Sequence, residues 1–278
     1  MSTGFHTAGP LSPSLLARVV PPGALGTRRA RRLLERNLLV TRHIWFVVAS
    51  GFFEPVFYLL SLGIGIGELV GTVEVGGRLV DYRTFVAPAM LASSAMNGAV
   101  FDTTFNFYYK LRYAKTYDAI LATPLGVGDV ALGEATSALA RGGVYSAAFL
   151  LVMAAMGLID SAWAVLALPA TLLIGFAFAG AGLACTTFMR GWEDFDSVQL
   201  AILPMFLFSS TFSPLSAYPS GLRWIVQATP LYHGVALVRG LCTGALGPAM
   251  GAHILYLVVM GTVGLVIAGR RMERILLA

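Results

Sequence analysis

The composition of this chain identifies the solvent in which it folds. It contains 278 residues, of which 57% are hydrophobic and only 12% are charged, with a formal net charge of +5. A soluble domain carries about 25% charged residues. A chain with a mean hydropathy of +0.76 has too little polar surface to stay dispersed in water. These figures exclude a soluble globular protein and a disordered chain, and they predict a polytopic membrane protein.

The N-terminal region divides into two segments. Residues 1–27 are rich in Pro, Gly and Ser and predict a mobile cytoplasmic tail. In residues 28–43, basic side chains alternate with leucines, which predicts an amphipathic helix lying along the inner membrane surface. Its polar face would carry Arg28, Arg29, Arg31, Arg32, Glu35 and Arg36. The alternative is a positively charged flank of the first membrane span with no further role.

Six apolar runs follow, each long enough for a membrane-spanning helix. Crossing the hydrocarbon core takes about 20 apolar residues, and helices satisfy their own backbone in lipid. The runs cover residues 44–66, 85–105, 128–157, 162–188, 197–217 and 248–269. With the N-terminus inside, 14 Arg and Lys residues flank the inner side and 4 the outer side. Basic residues mark the cytoplasmic side, so both termini are expected in the cytoplasm.

Two connections between the runs are long enough to hold structure of their own. The outer segment 218–247 is too short and too polar to cross the membrane. Pro219 and Pro230 predict helix starts there, and the segment is expected to be re-entrant or to lie flat on the outer leaflet. The inner segment 106–127 combines tyrosines and aliphatic residues with basic ones. Such anchors with a polar rim are typical of a docking knob for a cytoplasmic partner, or of an aromatic belt at the membrane interface.

Ionisable residues within the runs are costly unless they are paired or wetted. Glu54 lies near the middle of the first run, and Glu134 and Arg141 lie in the third. We expect Arg141 to pair with Glu134 or Glu54, with a substrate-lining, gating or proton-relay role as the alternatives. A further apolar set indicates packing, a dimer seam or a substrate path, namely Phe53, Met205, Phe206, Phe208 and Phe212.

Several kinds of catalytic and binding site are excluded. The two lysines, Lys110 and Lys115, do not follow a glycine, so the chain has no Walker phosphate-binding loop. The four histidines are scattered and there are only two cysteines, so no metal site is predicted. No catalytic motif occurs, and we expect a non-catalytic membrane subunit that binds no cofactor and no nucleic acid.

Four stretches together resemble the permeases of type-2 ABC exporters, in the branch of nodulation-factor and daunorubicin export permeases. TYDAILATPL resembles their coupling helix, and GFFEPVFYLLSLGIGIG their first span. DFDSVQLAILPMFLFSSTFSPLSAYPSGL and ATPLYHGVALVRGL resemble their fifth span and outer segment. The resemblance covers most of residues 28–270 and implies one transmembrane domain over 28–278. It also implies that 28–43 is an interface helix and that 106–127 contains a coupling helix.

The resemblance further implies a function and a set of partners. The chain would pair with a second, identical or related permease, would bind membrane lipids, and would sit in a bacterial inner membrane above two ATPase subunits that bind ATP and Mg. The residues expected to couple to the ATPase are Tyr113, Tyr117, Asp118, Ile120, Leu121 and Pro124. The cargo would be an amphipathic drug-like molecule, a lipid or a lipid-linked glycan. A standalone ion-coupled carrier that uses Glu54, Glu134 and Arg141 is the alternative.

Overall fold

The computed structural model describes residues 57, 59–61, 65–75, 77–122 and 126–276, and the side chain of Leu121 is not among the described ones. Residues 28–43 therefore lie outside the described part, as do Phe53, Glu54 and Pro124 and most of the run 44–66. The predictions made for them remain predictions.

Helices make up most of the described part, together with one pair of short strands. The strands are β1, Thr72–Val75, and β2, Arg78–Asp81, and a 3₁₀ turn covers Leu215–Ala217. The helices, in chain order, are α1 Gly67–Val70, α2 Tyr82–Tyr113, α3 Thr116–Leu121, α4 Val127–Ala155, α5 Ala162–Thr186, α6 Asp194–Leu207, α7 Ser220–Ala228, α8 Pro230–Thr243 and α9 Ala249–Leu276.

Four of the described helices are long and apolar enough to cross a membrane. They are α2, α4, α5 and α9, with lengths of 25 to 32 residues, and they occupy the second, third, fourth and sixth predicted runs. The main departure is α2, which was expected to end near residue 105 but continues to Tyr113. Its extension contains two π-helical turns, Asp102–Asn106 and Tyr109–Tyr113. The chain is therefore a multi-pass membrane protein that is mostly helical.

The fifth predicted run, 197–217, does not form one spanning helix. α6 covers Asp194–Leu207, which is 14 residues and about 21 Å at 1.5 Å per residue. The helix ends there because Phe208 leaves the helical backbone region and Ser210 takes a positive φ of 57°. The run therefore forms a helix that is shorter than predicted and is followed by an irregular segment, because hydropathy detects an apolar run but not this break.

The hairpin of β1 and β2 is the only pair of strands among the described residues. The strands pair antiparallel with Val73 opposite Val80 and Glu74 opposite Leu79. The sequence TVEVGGRLVD carries the signal for it, since a Gly-Gly pair between two runs rich in β-branched residues favours a tight hairpin turn. An assignment by hydropathy alone overlooks this element, which lies just before α2.

The core forms around α2 and α5. α2 buries most of its apolar residues, including Phe85, Leu91 and Met96, which are almost inaccessible to solvent. The larger apolar cluster joins α2, α5, α8 and the C-terminal half of α4. A second cluster lies at the other end of the bundle, where Phe107 and Leu183 meet Met272 of α9. The bundle is therefore packed at both ends of α2.

α5 and α9 approach each other so closely that only glycine fits. A Cβ atom on Gly180 would meet the carbonyl oxygen of Gly261, and one on Gly264 would meet the backbone of Gly180 and Ala181. Membrane helices pack through such small residues because lipid supplies no hydrophobic force between them. The contact holds the two helices together through backbone van der Waals packing.

This contact predicts a difference between two glycines on the same helix. Gly264→Ala should lower the free energy of unfolding by about 1–3 kcal/mol, since backbone must move to admit the methyl group. Gly269→Ala is the matched control, because a Cβ at Gly269 meets nothing within 4 Å and alanine favours a helix. Thermal unfolding in detergent measures both variants, and equal stability of the two would contradict the close-contact assignment.

Candidate functional site

The short helix α3 projects between the ends of α2 and α4. It is preceded by Lys115, whose φ of 46° lies in the left-handed region and turns the chain out of α2. Tyr117 and Ile120 point back into the bundle and are buried, while Asp118 and Ala119 are exposed. The ring of Tyr117 packs on that of Phe107 with a centroid distance of 5.2 Å. The tyrosine and the isoleucine thus anchor α3 to the bundle, and the exposed side of α3 is left for a partner.

Aromatic rings gather beside α3, at the same end of the bundle. Trp192, in the turn before α6, contacts Tyr108 and Tyr113 at centroid distances of 5.4 and 5.3 Å. Phe105 packs on Trp192 at 5.3 Å, and Phe195 of α6 packs on Tyr108 at 5.3 Å. Tyr113, one of the predicted coupling residues, is 54% exposed. The aromatic cluster therefore joins the end of α2, beside α3, to the start of α6.

An ion pair links α2 to α4, two of the helices that are long and apolar enough to cross a membrane. Nη2 of Arg141 lies 2.6 Å from Oδ2 of Asp102, and Nδ2 of Asn106 donates to Oδ1 of the same carboxylate at 2.8 Å. The expected pairing of Arg141 with Glu134 is therefore wrong. Those two residues are seven positions apart on one helix, or about 10.5 Å along its axis, which is too far when a carboxylate on the neighbouring helix is within reach.

Glu134 forms a second ion pair between the same two helices. Nζ of Lys110 on α2 lies 2.7 Å from Oε2 of Glu134 on α4. The extension of α2 beyond residue 105 carries Lys110 to this position, so the lysine assigned to a loop by sequence lies on a helix. Asp102 and Lys110 on one helix are eight residues apart, and Glu134 and Arg141 on the other are seven apart. Because α2 and α4 run antiparallel, the acid of each helix then lies beside the base of the other. That pattern is the sequence signal that could have identified both pairs.

The predicted set of Met205, Phe206, Phe208 and Phe212 lies at the end of α6 and in the segment after it. Phe206 and Phe212 pack edge to face at 5.1 Å, and both lie against the main core. Phe208 is 45% exposed, and no residue of α6 is fully buried. α6 therefore presents an apolar surface, including Leu200 and Leu203, that this chain's described residues leave uncovered.

The outer segment folds as two helices, α7 and α8. The expected helix starts are confirmed, since Pro219 directly precedes α7 and Pro230 is the first residue of α8. α8 ends at Gly244, whose φ is 75°. Unlike the amphipathic α7, α8 is largely buried and packs on α2. Of the two helices, α8 is thus part of the fold's core at the end of α2 opposite α3.

α8 carries a buried cation that sequence reasoning treated only as an outer-side charge. Arg239 is 7% exposed. Its Nε donates to the carbonyl oxygen of Phe85 at 3.0 Å, and its Nη2 donates to those of Ser210 and Thr211 at 2.8 and 3.4 Å. The guanidinium lies 3.8 Å from the centroid of the Phe85 ring. Burial lowers the pKa of Arg239 to about 9, so the side chain stays charged at neutral pH.

Arg239 also lines a cavity of about 390 Å³ at this end of the fold. The hairpin, Phe85 of α2, the segment after α6, α8 and the start of α9 line this open cavity. Its polar lining includes Glu74, Tyr232 and His253, and its apolar lining includes Leu215 and Met250. A cavity of this kind combines a few convergent polar groups with apolar walls, as small-molecule sites do.

Two histidines meet beside this cavity. Nδ1 of His233 on α8 and Nδ1 of His253 on α9 are 2.7 Å apart, and the His233 ring stacks on Tyr256 at 4.0 Å. Burial is the main cause that lowers the pKa of His233 to about 4, and the neighbouring His253 contributes to the same shift. Across the described residues, no group of three or more His, Cys, Asp or Glu side chains is arranged to hold a metal ion.

The two ion pairs predict non-additive effects of substitution. Asp102→Asn and Arg141→Gln should each destabilise the protein, and the double variant should be more stable than their sum predicts by about 0.5–3 kcal/mol. The reason is that either single change leaves one charge of a partly buried pair without its partner. Asp102→Asn combined with Glu134→Gln is the control, since these carboxylates belong to different pairs, and thermal unfolding in detergent measures the cycle. Additive behaviour of Asp102 and Arg141 would refute the pairing.

The depressed pKa of His233 predicts acid sensitivity. Its folded-state pKa of about 4 lies below the unfolded value of 6.5, so the unfolded state binds the proton more readily between these values. Stability is therefore complete above pH 6.5 and falls as the pH drops toward 4. His233→Gln should make the thermal midpoint fall less steeply over this interval. Equal slopes for the variant and the unaltered protein would contradict the assignment.

The matches to known proteins agree with this architecture. The family model described as ABC-2 type transporter matches residues 29–242. Nodulation protein J of Rhizobium leguminosarum bv. trifolii is 32% identical over 226 residues, covering 80% of this chain and 85% of that protein. The Nodulation protein J of Sinorhizobium fredii is 31% identical, covering 81% and 85%, and that of Rhizobium meliloti is 29% identical, covering 79% and 83%.

The family match spans well over half of the chain, and it falls on a polytopic helical protein with a short helix between its second and third predicted runs. The membrane-spanning helices and the relatives identify a membrane subunit of an ABC exporter. The chain therefore belongs to the ABC-2 type transporter family.

Proposed function

We propose that this chain is the permease subunit of an exporter that moves an amphipathic cargo outward across the bacterial inner membrane, driven by separate ATPase subunits. The observation that carries the proposal is α3, a helix anchored on one side by Tyr117 and Ile120 and open on the other. ATP and Mg would be bound by the partner, and this chain would be a non-catalytic subunit.

The two sides of α3 would have different roles. Asp118 and Ala119 are exposed and would touch the ATPase directly, together with the half-exposed Tyr113. Tyr117 and Ile120 are buried against Phe107 and the smaller core cluster. They would transmit a displacement of α3 into α2, α4 and α9 rather than contact the partner themselves. Leu121 and Pro124 remain proposed coupling residues on the family resemblance.

The positions of charged residues support cytoplasmic placement of α3. Met272, near the end of α9, packs in the same cluster as Tyr117, and it is flanked by Arg270, Arg271 and Arg274. Basic residues mark the cytoplasmic side. We therefore place the C-terminus in the cytoplasm. The proposed topology has six spans and a cytoplasmic N-terminus. The amphipathic helix 28–43 is the proposed interface helix.

The uncovered face of α6 supports pairing with a second permease. Leu200 and Leu203 are 75% and 60% exposed, and the segment that follows carries Phe208 and Phe212. A second chain, identical or related, would cover this surface, so that two permeases stand above two ATPase copies. Met205 and Phe206 beside this seam can repack around varied apolar shapes, which favours an amphipathic cargo such as a drug-like molecule, a lipid or a lipid-linked glycan.

Affinity purification of the full chain from native membranes in mild detergent tests the ATPase partnership. The double variant Asp118→Arg with Ala119→Arg changes only exposed positions of α3, so the protein should fold yet lose a co-purifying ATPase chain. Asp160→Arg is the matched control, an exposed aspartate in the turn between α4 and α5 at the opposite end. Mass spectrometry and ATP hydrolysis by the purified complex provide the measurements.

The result that would overturn the proposal is a folded protein that co-purifies with no ATPase chain and transports cargo without ATP. Transport that then collapses with the proton gradient would indicate the carrier alternative. An ATPase that still binds the α3 variant would reject α3 as the coupling helix while leaving the exporter assignment in place.

A further inference from the structure

The cavity at the end of the fold opposite α3 is lined by an arginine whose hydrogen-bond donors are only partly paired. An arginine side chain has five N–H donors. In Arg239, Nε and Nη2 supply three of them to the carbonyl oxygens of Phe85, Ser210 and Thr211. The two donors on Nη1 have no acceptor among the described residues, and the side chain lines the open cavity. A nearly buried cation therefore presents two free donors to a space of about 390 Å³.

Among the described residues, no carboxylate is paired with the charge of Arg239. Within the described part of the chain, its hydrogen bonds all go to backbone carbonyls and no carboxylate forms an ion pair with it. Carbonyl dipoles and the Phe85 ring stabilise the guanidinium but do not neutralise it. A buried cation in this state attracts an anion, since pairing offsets part of its desolvation cost.

The cavity lining also contains the carboxylate of Glu74. Arg239 and Glu74 act on a ligand in the cavity with unequal strength. Glu74 lies on the exposed side of β1, whereas Arg239 is 7% exposed. Coulomb interactions weaken in proportion to the local dielectric constant and are screened by salt at the surface. The cavity is therefore electropositive toward a ligand that reaches Nη1, and Glu74 only reduces that attraction.

The remaining walls describe the rest of the ligand. Tyr232 and His253 add polar groups near the arginine, while Val75, Leu215 and Met250 form an apolar wall. The volume lies within the range of about 300–1,000 Å³ that small-molecule sites occupy. The wall chemistry fits a charged headgroup with an apolar portion attached, and it fits a fully apolar molecule or a metal ion less well.

We propose that this cavity binds the oxyanionic headgroup of an amphiphile, with Nη1 of Arg239 donating to a phosphate or carboxylate oxygen. The role of this cavity as a subsite where cargo leaves rests on the exporter function proposed above. Binding of the headgroup by itself requires no transport. A membrane phospholipid and a free phosphate share the oxyanion chemistry, and the test separates these sources.

Native mass spectrometry of the full-length protein in a neutral detergent measures binding of two probes. They are phosphatidylglycerol and phosphatidylcholine with identical short acyl chains, which differ in net charge. Both headgroups contain a phosphate oxyanion that can accept from Nη1, but Arg239 repels the choline cation of phosphatidylcholine, so phosphatidylglycerol should bind about tenfold more tightly. Inorganic phosphate added as competitor identifies the source. Displacement of the lipid assigns the site to the oxyanion alone, and no displacement assigns it to the lipid headgroup.

Three variants test the site itself. Ala236→Phe fills the cavity from α8 without altering Arg239 and should abolish the preference for phosphatidylglycerol. Ala252→Phe, at an exposed position of α9 that does not line the cavity, is the control and should leave the preference intact. Glu74→Gln should tighten phosphatidylglycerol binding several-fold, because it removes the opposing charge. Arg239→Gln should also abolish the preference for phosphatidylglycerol. If Arg239→Gln does not fold, the result for Ala236→Phe decides whether the cavity is the binding site.

Equal binding of the two lipids would overturn the proposal, as would an unchanged preference in Ala236→Phe. Weaker binding in Glu74→Gln would also overturn it, since the ligand would then be cationic. Export that continues normally in a variant that has lost lipid binding would reject the role as an exit subsite. Intact lipid binding in a protein without any ATPase partner would instead count against the exporter function alone.

Discussion

The two ion pairs between α2 and α4 fix the register on which one end of the molecule depends. Each helix contributes one acid and one base to these pairs, since Asp102 and Lys110 lie on α2 and Glu134 and Arg141 on α4. A shift by one pair, about 11 Å along the helices, would place Asp102 beside Glu134 or Lys110 beside Arg141. Like charges at membrane depth are costly, so only one register satisfies all four side chains.

That register determines where α3 lies, because α3 is the connection between the two paired helices. Lys110 lies five residues before the turn at Lys115, and Glu134 is eight residues into α4. The π-helical turns of α2 coincide with Asp102 and Lys110, and the hydroxyl of Thr186 on α5 donates to the carbonyl of Thr103 at 2.8 Å. The irregular backbone that positions the charges is thus satisfied by a neighbouring helix, as lipid requires.

Hydropathy and proline positions predicted what depends on local sequence. The runs of α2, α4, α5 and α9 and the starts of α7 and α8 follow from apolar length and helix-start chemistry. Contacts between distant segments were not accessible in this way. Arg239 receives its carbonyl partners from Phe85, 154 residues away, and from Ser210 and Thr211, so its sequence neighbours carry no sign of its burial. Tyr117 and Ile120 were predicted to contact the partner because apolar residues of the same types serve either to dock a coupling helix on a partner or to anchor a helix to its own bundle.

The packing also identifies which element can carry motion between the two ends. Ion pairs join α2 to α4, glycine contacts join α5 to α9, and Thr186 joins α5 to α2. These four helices are tightly connected, whereas α6 buries no residue completely. α6 begins beside Trp192, which touches Tyr113 next to α3, and it leads to Ser210, whose carbonyl holds Arg239 in the cavity wall. Elements with few buried contacts move at the lowest free-energy cost. A displacement of α3 is therefore expected to move the four spanning helices together without a change of register, and a shift of α6 relative to them is expected to carry the motion to the cavity.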